Sequence, residues 1–585
     1  MGIRSAGELT TLDRLANLSR GGAVKKKQGR KTVATVVKED GSQLIWRNCS
    51  IGALDAETDE NLLSTCYVDN GCLEAVRDIA GSQAIILGRT GAGKSAALIR
   101  LAQVEANVIA VDPLDLAFKH IENSTIIGFF QAAGVNLDLF YRLLWRHVLI
   151  TELLKYRYQL KDQSGTSRWF DALITRVRGD SAREKSLRYL RQWGDQFWLS
   201  TETRMREVTT KIEQDLHGSI SSSAAFLKAE AGASAKLSDS ERAEVFSRGS
   251  AIVNNIQLRE LSQLLDFLAE EVFEDPQKHY FLAIDKLDEE WVTSLVKSRL
   301  IRALIEEIKV FRKISNVKIV IVLRDDLLER VYDETRDGGF QQEKYEAYYA
   351  RVKWREAELI ELIRRRVNEV FRHRYAKVEV DLKSLFPSDR RNESALPYIF
   401  ERTFFRPRDV ISYVNQCLAL AEDRPRISWQ VIHDAEEKYS KGRLKSLFDE
   451  WLARYPSLQR VSEMLSWLPA TFNRSAFTDL ALNDLASSLA EKGNEDDIGR
   501  LCENLLTPDC RHTLADLTSA SLRLLYHVGM IGVKMSSESG RLWSYRGDEE
   551  LSQGDMKRAT SFKIHKMFWR ALRVRTNDTW NQADV

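Results

Sequence analysis

One octapeptide, Gly88-Arg89-Thr90-Gly91-Ala92-Gly93-Lys94-Ser95, constrains this chain more than any other stretch. It fits the pattern G-x-x-x-x-G-K-[ST]. Glycines at these places let backbone N–H groups turn inward around phosphates, the lysine reaches the outer phosphates, and the hydroxyl that follows suits Mg2+. The flanks agree with the pattern. Gln83 to Leu87 reads as a short buried strand, and the chain from Lys94 through "SAALIRLA" reads as a helix whose positive end favours an anion. Gly88 to Ala96 is therefore the expected phosphate-binding set, with Ala96 as its last member. A strand, a loop and a helix in that order point to an α/β fold with a parallel sheet.

A second piece lies far along the chain. "HYFLAID" is an apolar run ending in Asp285, where a strand of an open α/β sheet presents its ligands. Asp285 is expected to hold Mg2+, together with Ser95. Many nucleotide hydrolases carry an acid directly after this aspartate, and here the residue is Lys286. An ammonium cannot take a proton from water, so the expected catalytic carboxylate moves to Asp288, with Glu289 beside it. The same two acids also suit the start of a helix.

The remainder sets the architecture. At 585 residues the chain needs more than one core. Nine prolines in that length point to a mostly helical protein. "YFLAID" and "VKIVIVLRDD" read as further buried strands around a helix, and "NVIAVDP" as another. The expected organisation is a basic N-terminal extension with a β-hairpin over 1–50, a phosphate-loop core over 51–350 with a large helical insertion at about 115–275, a helical lid over 351–450, and a winged-helix-like domain over 451–585. His217 to Glu244 is low-complexity and reads as part of the insertion. Helices followed by the alternating run "GVKMSSESGRLWSYRG" suggest the wing. Trp467, Trp543 and Trp569 are expected to fill its core.

Bulk properties exclude several classes. A net charge of +2 leaves nucleic-acid binding to local patches, such as the basic, aromatic "KMFWRALRVR" of the C-terminal domain. The six cysteines form no CxxC pair, which argues against a zinc site or a disulfide framework and for reduced thiols in the cytoplasm. No signal-like apolar region and no membrane-length apolar run is visible.

The phosphate loop, "FLAIDKLDEEW", "VKIVIVLRDD" and "FFRPRDVISYVN" come in that order. Together they resemble AAA+/STAND-type P-loop ATPases on the side of origin-recognition proteins and KAP NTPases. More narrowly they resemble bacterial ATPases of genomic islands and phage-defence neighbourhoods. The resemblance implies ATP and Mg2+ as cofactors, Arg324 as a sensor of the γ-phosphate, and Arg408 as a lid residue touching nucleotide, with Arg406 able to take that role. With Lys94, Asp288 and Glu289, read from the residues themselves, Arg324 and Arg408 complete the expected catalytic group. Lys286 departs from the pattern and predicts slow turnover, as suits a nucleotide-driven switch. A homo-oligomer could supply an arginine in trans, for which Arg351, Arg355 and Arg364 are candidates. A separate effector chain and a role in antiphage defence follow by association. A non-catalytic scaffold and a DNA-loading ATPase are the alternative expectations.

Overall fold

The computed structural model describes residues 45–113, 135–158, 258–289, 294–336, 342–375, 380–390, 393–492, 496–507, 511–547 and 549–576, with single positions between 243 and 250. The expected N-terminal hairpin, its basic run and most of the low-complexity segment lie outside these residues. The chain divides into two compact units. The first holds Asp69–Arg89 and Lys94–Lys353, and the second holds the described residues up to Val68, then Thr90–Gly93 and Trp354 onward.

The first unit is built on a five-stranded sheet with order β2-β3-β4-β1-β5. Its strands are β1 (Ile85–Leu87), β2 (Val108–Val111), β3 (Tyr280–Ile284), β4 (Val317–Leu323) and β5 (Tyr349–Arg351), and every pairing is parallel. "IIL", "YFLAI" and "VKIVIVL" are buried at every position, as a sheet covered on both faces requires. Lys318 sits inside that last run. Its ammonium reaches the Asp78 carbonyl, and burial pulls its pKa down to about 8. The helices are α1 (Lys94–Val104), α2 (Asp138–Tyr158), α3 (Leu258–Phe267), α4 (Ser294–Phe311) and α5 (Asp325–Glu334).

The strand order fixes what stands at the sheet's C-terminal edge. Ile85 pairs with Ile321 and Ile284 also pairs with Ile321, so β4 separates the strand before the phosphate loop from the strand before Asp285. Gly88, Asp285 and Arg324 each follow the last residue of their strand. The region read as an insertion is in part core. Helix α2 docks through the Trp145 indole, which donates to the Leu300 carbonyl at 2.8 Å. Arg146 donates to the fully buried Glu307 from Nε at 2.8 Å and from a terminal nitrogen at 2.9 Å.

The second unit has its own core. It gathers α6 (Glu356–Tyr375), α7 (Pro407–Leu420), α8 (Trp429–Trp451) and α9 (Leu514–His527) around a four-stranded antiparallel sheet of order β6-β9-β7-β8. These strands are β6 (Thr471–Phe472), β7 (Ile531–Lys534), β8 (Arg541–Leu542) and β9 (Ser561–Ile564). Apolar residues of 351–450 and of 451–585 belong to one hydrophobic cluster. Ile45, Cys49, Ile51 and Val68 join that cluster, so residues 45–68 belong to the second unit. Asp59 fixes them by a buried ion pair with Arg366.

The hairpin read in "GVKMSSESGRLWSYRG" is β7 and β8, with Val533 opposite Leu542. Helix α9 starts with a reciprocal capping box between Thr513 and Asp516. Gly532 of β7 lies under the Trp543 ring: a Cβ there would stand 2.5 Å from it, so only glycine admits the indole. Trp543 and Trp569 are half-buried. Trp467 is not a core residue, contrary to expectation. It is 55% exposed, because its left-handed backbone (φ 62°) turns the ring outward.

Candidate nucleotide site

The site is assembled from strand ends of the first unit. Lys94, first residue of α1, is 8% exposed, and its ammonium donates to the Arg89 carbonyl at 3.0 Å. Burial lowers its pKa, and the carboxylates of Asp285, Asp325 and Asp288 act against that shift. Lys94 is thus a desolvated cation facing three acids, a setting from which a polyphosphate can recruit it.

Asp285 is equally buried. Its carboxylate accepts from the Lys286 N–H at 2.8 Å and hydrogen-bonds the Ser95 hydroxyl. Burial raises its pKa above the usual carboxylate range, and these hydrogen bonds with the nearby Lys94 charge pull it back. The fold therefore brings Ser95 and Asp285, both expected at Mg2+, into direct contact across residues far apart in sequence. A hydroxyl and a carboxylate are hard oxygen donors of the type Mg2+ takes, with phosphate oxygens and water filling its other positions. Among the described residues there is no group of three or more His, Cys, Asp or Glu that could hold a metal ion.

Lys286 adopts a left-handed backbone (φ 61°). This conformation is uncommon for a residue with a side chain and costs on the order of 1 kcal/mol. It sends the ammonium to Asp112, 3.5 Å away, whose side chain is only 2% exposed. Asp112 follows β2 as Asp285 follows β3, and Val111 pairs with Ile284. Two carboxylates therefore stand at neighbouring strand ends, and Lys286 neutralises one of them.

Arg324 caps α5. Its guanidinium donates to both carboxylate oxygens of Asp326 at 2.9 Å and lies 3.6 Å from Asp288. Asp288 thus reaches the cluster, in company with the arginine. Glu289 is exposed, and its backbone carbonyl accepts from Lys297. Asp325 has its pKa raised by burial, opposed by Arg89, Lys94 and Arg351. Asp112 was not singled out from the sequence as a site residue, nor was Asp325 as a neighbour of Lys94, although their partners Lys286, Arg89, Lys94 and Arg351 were. The one signal for Asp112 was its place after "VIAV".

Residues Thr90–Gly93 of the loop belong to the second unit and are described within it. Their carbonyls are clasped in turn. Thr90 accepts from Arg406 at 2.7 Å, Gly91 from the Arg408 N–H at 3.4 Å, and Ala92 from the Trp354 indole at 2.8 Å. Gly91 and Gly93 have φ of 77° and 98°, and a Cβ on Gly91 would lie 2.8 Å from that of Arg408. Glycines at positive φ in such a turn allow successive N–H groups to converge on an anion. Arg406 is buried and pairs with the fully buried Asp409 at 3.1 Å, which Arg443 also approaches at 3.3 Å. Burial alone would raise the Asp409 pKa, but Arg406 and Arg443 outweigh it and hold the carboxyl low. Arg408 is half-buried and donates to the Leu54 carbonyl at 3.2 Å. Of the trans candidates, Arg351 stands near Asp325 and Glu346, and Arg364 is tied to Glu361.

Comparison with known proteins gives three findings. Residues 357–448 match the family described as the FunZ-associated C-terminal helical domain. The chain is 22% identical over 538 residues to the "Putative transposon gamma-delta 80.3 kDa protein" of Escherichia coli (strain K12), covering 90% of this chain and 67% of that protein. Among solved structures, the Walker-type ATPase PABY2304 of Pyrococcus abyssi aligns over 90% of this chain and 98% of its own, at 14% identity and a TM-score of 0.33.

Proposed function

We propose that this chain binds ATP with Mg2+ at the Gly88–Ala96 loop, hydrolyses it slowly, and uses the bound nucleotide as a switch. The observation that carries the reading is the contact of Ser95 with Asp285 beside the buried ammonium of Lys94. The loop amides and Lys94 would bind the phosphates. Ser95 and Asp285 would hold Mg2+, which supplies charge neutralisation on the transferring phosphoryl group.

Two carboxylates compete to orient the attacking water. Asp288 is half-committed to Arg324, whereas Asp112 is buried next to Asp285 and held by Lys286. Asp112 must part from the Lys286 ammonium before it can orient a water, which fits slow turnover. Arg324 would stabilise developing charge once Asp288 or Asp326 releases it. The switch reading rests on the clasp of Arg406 and Trp354 on loop carbonyls: occupancy of the loop changes a segment that those two residues hold. The name of the Escherichia coli relative places that protein with a transposon, which favours a role connected with mobile DNA. Defence against phage through a separate effector, assembly into a homo-oligomer and a winged-helix role for the C-terminal sheet belong to the same proposal.

Steady-state phosphate release tests it. Wild type should turn over slowly, and Lys94→Ala and Asp285→Asn should fall to background. Equal traces for all three would favour the second reading, a scaffold in which nucleotide plays no catalytic part, and it is Lys286 that favours that reading.

A further inference from the structure

The second unit exposes a large aromatic ring where a fold of this kind buries them. Trp467 is 55% exposed and Arg573 lies 5.2 Å from its ring centroid. Both residues have left-handed backbones, with φ of 62° and 52°. Such conformations persist in residues with side chains only where the surroundings impose them. Here a short pairing of segments does so. The Trp467 N–H donates to the Leu572 carbonyl at 3.0 Å, Arg575 N–H to Leu468 at 2.9 Å, and Ala470 N–H to Arg575 at 3.0 Å. The fold thus holds the indole and guanidinium together at the surface.

The chain beside this pair is basic; Lys566 pairs with Glu401 and Arg570 stands 3.9 Å from Glu436, which leaves Arg573 and Arg575 as the cations next to the ring. Residues 566–576, "KMFWRALRVRT", carry Lys566, Arg570, Arg573 and Arg575 and no carboxylate. Lys566, Trp569 and Arg570 line a neighbouring cleft of about 120 Å³ together with Glu393 and Glu436, so that cleft is of mixed charge. The ammonium of Lys566 stands 5.9 Å from the Trp569 ring centroid. The segment thus sets one cation beside its own Trp569 ring and another, Arg573, beside the ring of Trp467.

We propose that the Trp467 side of this surface binds a single strand of nucleic acid. An exposed ring with a stacked guanidinium offers a platform for an unpaired base, and flanking cations take the backbone phosphates. A duplex hides its base faces, so the ring selects an unpaired strand. The side chains of the segment are donors and apolar groups apart from the Thr576 hydroxyl, so they read phosphate and base face rather than sequence.

The experiment is fluorescence anisotropy of labelled oligodeoxythymidylate (20 nucleotides) with the full chain at several salt concentrations. Wild type should bind the strand at least tenfold tighter than a duplex of equal length, and the affinity should fall as salt rises. Trp467→Ala should weaken binding about tenfold, and Trp467→Phe should retain most of it. Arg573→Ala should lower the magnitude of the salt slope by about 0.7. Lys94→Ala should bind the strand as wild type does, which separates this surface from the nucleotide reading. Equal affinity for duplex and strand, unchanged binding by Trp467→Ala with its circular dichroism intact, or no binding at low salt would each overturn the proposal.

Discussion

At the residue scale, the account turns on a few buried charges. Lys94 and Asp285 were legible in the sequence, because the loop pattern and a strand-terminal aspartate each carry a local signature. Asp112 was not: its relation to Asp285 comes from parallel pairing of β2 with β3, and some 170 residues separate the two in sequence. Lys286 read as an anomaly, and its left-handed backbone with the Asp112 ion pair accounts for it. This gives a sharp prediction. Asp112→Asn should lower the phosphate-release rate at least tenfold with ATP affinity held within about threefold, as loss of a general base does. Asp288→Asn should lower it less. A reversed order in single-turnover assays would return the role to Asp288.

Among the elements, the phosphate loop depends on what holds its carbonyls. Gly91→Ala forces a Cβ against Arg408 at a φ of 77°, so it should weaken nucleotide binding and lower the melting temperature of the second unit together. Trp354→Phe keeps the ring and removes one hydrogen bond to Ala92, worth about 1 kcal/mol. Arg406→Met strands Asp409 without its closest partner, and the cost of breaking such a buried pair is about 3–5 kcal/mol. Differential scanning calorimetry should therefore rank Arg406→Met well below Trp354→Phe. The sequence reading named Arg406 and Arg408 but could not see that Arg406 faces inward to Asp409. Arg406 precedes α7 and Arg408 and Asp409 open it, and that spacing does not say which arginine the core takes. Trp467 misled for a related reason: an aromatic residue in an amphipathic stretch reads as core, and only its backbone conformation exposes it.

For the whole molecule, the parallel α/β core and the C-terminal hairpin followed from strand composition and turn residues. The partition into units did not, because residues 45–68 are drawn to a core formed mostly by residues after 354. That second core also carries a pH dependence. His565 is buried among Phe404, Trp543, Tyr545 and Phe568, and its Nδ1 accepts from the Met567 N–H. Burial, then the Arg546 charge, lowers its pKa to about 3. A folded pKa below the ordinary 6.5 means the neutral ring is favoured. Its contribution is complete above about pH 6.5 and is lost as pH falls toward 3. His565→Asn should therefore lower stability at pH 7 and flatten its fall between pH 6.5 and 3, measured by urea unfolding at stepped pH. A parallel fall in wild type and variant would contradict it.

The central claim is that Lys94, Ser95 and Asp285 form one site for a triphosphate and its divalent ion, and isothermal titration of ATP with and without Mg2+ tests it most directly. Wild type should bind ATP with heat that depends on Mg2+, Lys94→Ala should lose binding, and Asp285→Asn should lose the Mg2+ dependence. Absence of heat in wild type, or identical Mg2+-dependent isotherms for all three proteins, would contradict the account.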